Sequence, residues 1–368
     1  MQRLAPRTLV DIYGCVAPAA ELLYEQAAPR IRGYWDRLDS HLALTAPIPG
    51  AGDWDSAYLR FVNPREVEGT LKRAGFPAGP FGSPDTDGGQ ALESGVLQDN
   101  PLGRLTALKG YGIDSQLLSP VQALDGVLEL DLFPAIGILE AYNRYIEEYC
   151  ALDDVRLRGT LQVHGRDPQW SATAIYAAGS AISAATIYLP AKVAPDQANF
   201  AVVWRALHER DMGLVHRPQT GARVWTPAYL VRYLTQTEVF DRWPKLRIAF
   251  VGWPYGEMKR LAEVAESSDA NDGDNGLLRR LYVAANAATL PKGADDLGCL
   301  RRRLAWASEF PVSPTSYASM LNALPEDDET RDALIETLPN EFLRGNVERN
   351  THSRGLSRIA GRRWPSFR

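Results

Sequence analysis

"TLVDIYGCVAP", residues 8–18, reads as the first strand of a barrel followed by a turn rich in small residues. Leu9, Val10 and Ile12 supply the apolar run that a strand buried on both faces needs, and the strand ends near Cys15. Parallel barrels carry their chemistry at such strand ends. What Tyr13 and Cys15 do there is therefore the first question this chain poses.

Working outward, apolar runs of strand length alternate with segments of helical period, the pattern of a parallel α/β fold. The strands are expected at 8–13, 115–119, 157–164, 184–189, 212–216, 246–251, 281–285 and 303–308. Helical patterns fall between several of them. "FPAIGILEAYNRYIEEYCA" (133–151) is amphipathic, "PQWSATAIYAAGSA" (168–181) opens on proline, and "DQANFAVVWRALHERD" (196–211) opens on an aspartate suited to an N-cap. Eight strand–helix units make a (β/α)8 TIM barrel, predicted to occupy residues 1–350 as a single domain. The surplus length falls in three places. Residues 48–110 are rich in glycine, proline and aspartate and predict a long loop insertion after the first strand, with one short helix at 64–74. "ESSDANDGDNG" (266–276) predicts an acidic surface loop. Residues 351–368 form a basic, arginine-rich tail, read as a solvated arm.

The 368 residues carry a net charge of -5, which supplies no general basic field for nucleic acid. Cys15, Cys150 and Cys299 lie far apart and form no CxxC pair, which fits a reducing compartment better than a disulfide scaffold. No stretch approaches the roughly 20 apolar residues of a membrane span, and the N-terminus lacks a signal-peptide core. The expectation is a cytoplasmic protein that engages neither nucleic acid nor membrane.

The strand ends collect Asp11, Tyr13 and Cys15 from the first strand, His164 from the third and His216 from the fifth. Gly252 and Trp253 follow the sixth strand, Asn286 the seventh and Glu309 the eighth. Imidazole, thiol and carboxylate are all possible ligands for zinc-like metals. Each also has a structural reading. Cys15 reads as a small buried hydrophobe and Tyr13 as packing with its hydroxyl satisfied. Trp253 reads as barrel packing. A buried Glu309 needs a cation or a wet cavity. No GxSxG elbow, Walker loop or dinucleotide fingerprint is present.

The order of these pieces resembles the amidohydrolase superfamily, in the branch that includes aminocarboxymuconate-semialdehyde decarboxylase and the resorcylate decarboxylases. "GIDSQLLSP" resembles that branch's second strand, and "RLRGTLQVHGRDPQWSATAI" its third strand leading to an Asp-Pro helix start. "FDRWPKLRIAFVGWPYGEMKRL" resembles its sixth strand, turn and helix. "ASEFPVSP" stands at its strand-eight motif and "LPNEFLRGNVERN" at its closing helix. The resemblance runs collinearly from about residue 7 to 350. It implies one divalent metal, often zinc, held by a His-x-His or Glu-x-His pair on strand one, histidines on strands five and six, and an aspartate on strand eight. Here the pair falls on Tyr13 and Cys15, strand five keeps His216, the strand-six position falls near Val251 or Gly252, and strand eight carries Glu309.

These departures predict a barrel that has lost the usual metal site. Its expected role is a non-catalytic or metal-independent subunit, paired as a homodimer or as a heterodimer with an active relative. The expected cofactor is none. The alternative is a metal-dependent hydrolase or non-oxidative decarboxylase of a small carboxylate or amide, with zinc or another divalent metal on a rebuilt Cys15, His216 and Glu309 site. Without metal, His216 and Glu309 would be the acid–base pair, with Tyr13 donating. Any small-molecule pocket would be lined by Tyr13, His164, His216, Trp253 and Glu309.

Overall fold

A computed structural model describes residues 8–16, 20–34, 101–110, 112–120, 124, 127, 130–219, 225–272, 276–285, 294–308 and 332–343. Eight parallel strands follow one another around a single sheet in chain order. They are β1 (Val10–Val16), β2 (Ser115–Pro120), β3 (Leu157–His164), β4 (Ile182–Tyr188), β5 (Gly213–His216), β6 (Ile248–Phe250), β7 (Leu281–Ala285) and β8 (Leu304–Trp306). Between and after them come α1 (Ala20–Gln26), α2 (Pro29–Arg32), α3 (Pro101–Gly110), α4 (Leu132–Cys150) and α5 (Pro168–Ala177). There follow α6 (Ala201–Glu209), α7 (Pro227–Gln236), α8 (Val239–Arg242), α9 (Tyr255–Asp272) and α10 (Leu338–Leu343). This is a (β/α)8 barrel.

Strand β8 returns to β1 through side chains. The Asp11 carboxylate accepts from the Ser308 backbone N–H at 2.9 Å and from the Ser308 hydroxyl. It also accepts from the Tyr13 N–H at 3.0 Å and from Gln116 of β2. Arg104 of α3 donates to Gln116 Oε1 at 2.9 Å and to the Cys15 carbonyl. The seam between the first and last strands is thus closed by a buried polar network beneath α3.

Two apolar layers separate across the wall. Leu118, Leu161, Val163, Ile187, Leu214, Phe250 and Val283 face the helices in the large outer core. Val10, Ile12, Cys15, Leu117, Ala184, Val215, Ala249, Tyr282 and Ala305 form the inner core with Phe342. Phe342 of α10 fits against Gly213, where an added Cβ would lie 2.7 Å from its ring, and it packs on Tyr282 with centroids 5.3 Å apart. Gly213 and Tyr282 sit at the starts of their strands. The closing helix therefore plugs the N-terminal end of the barrel and leaves the C-terminal end for chemistry.

Two sequence expectations change. The last ten residues of the 48–110 stretch are α3, a helix opened by Pro101 that buries Arg104, Ala107 and Leu108. Its buried face includes an arginine, so apolar periodicity alone does not reveal it. The 266–276 stretch is also partly helical, because α9 runs on to Asp272. The remainder of the expected insertion, including the helix expected at 64–74, lies outside the described residues, as do Asn286, Glu309 and the tail.

Candidate functional site at the C-terminal end of the barrel

Strand β3 departs from the apolar interior. Its outward residues Leu161 and Val163 join the outer core, while the alternating Thr160, Gln162 and His164 point inward and are fully buried. The parallel register sets Gln162 beside Thr186 and His164 beside Tyr188. Asn143 of α4 holds this stretch of β3 in place. Its amide donates to the Gln162 carbonyl at 2.8 Å and accepts the Gln162 N–H at 2.8 Å. Just past β5, buried Arg217 donates to the Tyr188 hydroxyl at 2.9 Å, with its guanidinium carbon 5.8 Å from that ring's centre.

His164 has a defined tautomer. Its Nδ1 accepts the Arg166 N–H at 3.2 Å, so a neutral ring carries its proton on Nε2. That Nε2 is buried and has no hydrogen-bond partner among the described residues. Burial, assisted by the nearby Arg166 charge, lowers the His164 pKa to about 4. A ring whose Nε2 already carries hydrogen does not ligate a metal through that atom.

His216 has its ring on the other side of the wall. It follows the alternation of outward Leu214, and its ring stacks on Trp253 at 5.4 Å and meets Phe250 edge-on at 5.7 Å. Its Nε2 lies 2.7 Å from the Trp225 carbonyl, and the Trp253 indole donates to the His216 carbonyl at 3.1 Å. Burial lowers its pKa to about 4, opposed by the Trp225 hydrogen bond. Trp253 thus acts as the partner of His216 in packing.

Tyr13 and Cys15 are both buried in the inner core, so the predicted residues at the end of β1 do face the barrel interior. The structure does not bring Cys15 and His216 to one face, and Glu309 lies outside the described residues. Asp11, another strand-one candidate, is taken up by the seam. Burial raises its pKa, against the lowering effect of hydrogen bonds from Ser308, Gln116 and Tyr13. Gln162, Thr186, Tyr188 and Arg217 went unread in the sequence. The available signal was the polar Thr-x-Gln-x-His alternation over the last five residues of β3.

No protein-family model and no curated protein sequence matches the chain. Solved structures do. A 5-carboxyvanillate decarboxylase from Novosphingobium aromaticivorans, with bound manganese and a nitrobenzoic acid, is 18% identical over 93% of this chain and 98% of its own, with a TM-score of 0.57. An amidohydrolase from Mycobacterium avium is 13% identical over 92% of this chain and 100% of its own, at 0.63. A 2,6-dihydroxybenzoate decarboxylase from Rhizobium is 16% identical over 72% and 96%, at 0.53. At 13–18% identity these likenesses show a shared barrel fold.

The shared fold corrects the expectation of no cofactor, because decarboxylases built on it hold manganese. The fit of a metal to this chain is a separate matter. Among the described residues no group of three or more His, Cys, Asp or Glu side chains is placed to hold one. The described donors do not fit a divalent metal by themselves.

Proposed function

We propose that the chain is a metal-dependent hydrolase or non-oxidative decarboxylase of a small carboxylate or amide, working at the C-terminal end of the barrel. The observation that carries this reading is the polar inner wall of β3 and β4, at the end of the barrel that α10 leaves open. An apolar interior is sufficient for a purely structural barrel, and buried polar side chains are costly there. Positive charge at the same rim suits an anionic substrate. Arg217 lies beside Tyr188, and Arg166 and Lys192 line a groove of about 430 Å³ next to Gly165. The decarboxylases that share the fold support the reaction class, and their manganese supports a divalent metal.

Cys15, on the inner face of β1, is proposed as a metal ligand, with Glu309 proposed from the sequence as a second and Tyr13 as a proton donor. His216 enters the metal set only if its ring leaves Trp253, so it is proposed as a scaffold residue.

The test is elemental mass spectrometry on protein purified without chelator or metal-binding tag, followed by turnover assays after loading with manganese or zinc. The assays follow CO2 release from hydroxybenzoates and hydrolysis of small amides. Near-stoichiometric metal that is lost in Cys15→Ala, together with metal-stimulated turnover, is the expected result. No metal after loading and no turnover on either substrate class overturns the reading. A second reading, a subunit that pairs with an active relative, rests on the failure of the described donors to converge. It predicts that activity appears only when the relative is added.

A further inference from the structure

We propose that Gln162, His164 and Thr186 form a binding subsite for an uncharged ligand group that both donates and accepts a hydrogen bond, a hydroxyl or a carboxamide. Three buried side-chain atoms on two neighbouring strands have no hydrogen-bond partner among the described residues: Gln162 Oε1, His164 Nε2 and Thr186 Oγ1. All three residues are fully buried and share the inner face of the wall. Gln162 and His164 are two residues apart on one strand, so their Cα atoms are about 6.6 Å apart, and Thr186 sits beside Gln162 at about 4.8 Å. These backbone spacings put the three side chains within the span of one small group.

The roles of two of the three atoms are fixed by what surrounds them. The Gln162 amide nitrogen donates to the Thr160 carbonyl at 2.9 Å, which leaves Oε1 as the acceptor. His164 accepts the Arg166 N–H on Nδ1, which makes Nε2–H a donor. The Thr186 hydroxyl serves either way. A bare carboxylate has nothing to give Gln162, and an ammonium has nothing to take from His164. A hydroxyl or a carboxamide satisfies both. Native interiors seldom leave such atoms unmatched, and three on adjacent positions point to a common occupant. The subsite is a statement about binding and stands whether or not the chain turns a substrate over.

The test uses the full chain and the imidazole nitrogen resonances of its five histidines, with His164 assigned through His164→Gln. Phenol and benzamide are titrated against their capped counterparts, anisole and N,N-dimethylbenzamide, which accept hydrogen bonds and cannot donate them. The expected result is a saturable shift of the His164 Nε2 resonance by phenol or benzamide at millimolar concentration, with the capped probe at least ten-fold weaker. Which uncapped probe acts separates the hydroxyl from the carboxamide. Near-isosteric Gln162→Met abolishes the preference over the capped probe, and Thr186→Val weakens binding at least three-fold. Equal response to capped and uncapped probes overturns the proposal. So does the absence of any shift while the His164 Nε2 proton contacts only a long-lived water. The discrimination in the wild-type chain decides the matter even if a variant fails to fold.

Discussion

At the end of β5 a single imidazole ties three elements together, and its protonation state sets a cost. His216 is buried, its Nε2 meets the Trp225 carbonyl, and its carbonyl receives the Trp253 indole. Burial drives its pKa from 6.5 to about 4. The unfolded chain therefore binds a proton at a pH where the folded chain does not, and stability falls as pH drops from about 6.5 to 4. A shift of that size corresponds to about 3 kcal/mol. His164 adds a second loss over the same window for the same reason. His216→Gln keeps an N–H for the Trp225 carbonyl and removes the titration. Urea midpoints measured from pH 7.5 to 4.5 are expected to fall less steeply in His216→Gln than in the wild type. Parallel pH profiles would show that the ring does not titrate with folding.

Within the elements, the close approach of β1 to β2 rests on Gly14. A Cβ there would lie 2.3 Å from the Gln116 side chain. Gln116 cannot swing aside freely, because it donates to Asp11 and accepts from Arg104. Gly14→Ala is expected to destabilise the protein by about 1–3 kcal/mol through overpacking. Gln116→Ser in the same chain should recover part of that loss, and a double-mutant cycle by chemical denaturation measures the coupling. No recovery would place the clash elsewhere. The strands were legible because a wall buried on both faces reads as short apolar runs, and β3 and β7 match their predicted bounds. Helix α3 was not legible, because it turns Arg104 toward the seam and its apolar stripe is broken by that charge. The site was half legible. Strand ends pointed to His164 and His216, but which face each ring takes depends on strand parity and on hydrogen bonds to residues distant in sequence. The Arg166 N–H sets the His164 tautomer, and Trp225 and Trp253 hold His216 outside.

For the molecule as a whole, closure of the barrel converges on one carboxylate. Asp11 receives four donors: the backbone N–H groups of Tyr13 and Ser308, the Ser308 hydroxyl and the Gln116 amide. Residues 11 and 308 are nearly the full length of the described chain apart, so this contact joins the ends of the fold rather than neighbours. Such a seam forms only when the other seven strand pairings have brought β8 round to β1, and it carries a high loop-closure cost. Asp11→Asn preserves the shape and replaces an acceptor oxygen with an NH2 that faces donors. It is expected to cost about 2–4 kcal/mol, the range for breaking a buried charge-assisted network. The loss should also have a place. Native-state hydrogen exchange of Asp11→Asn is expected to accelerate at β1 and β8 more than at β3 and β4, because the barrel opens at its seam while the register of the far wall is retained. Uniform acceleration across all eight strands would mean that the barrel unfolds as one cooperative unit, with the seam no weaker than any other strand pair.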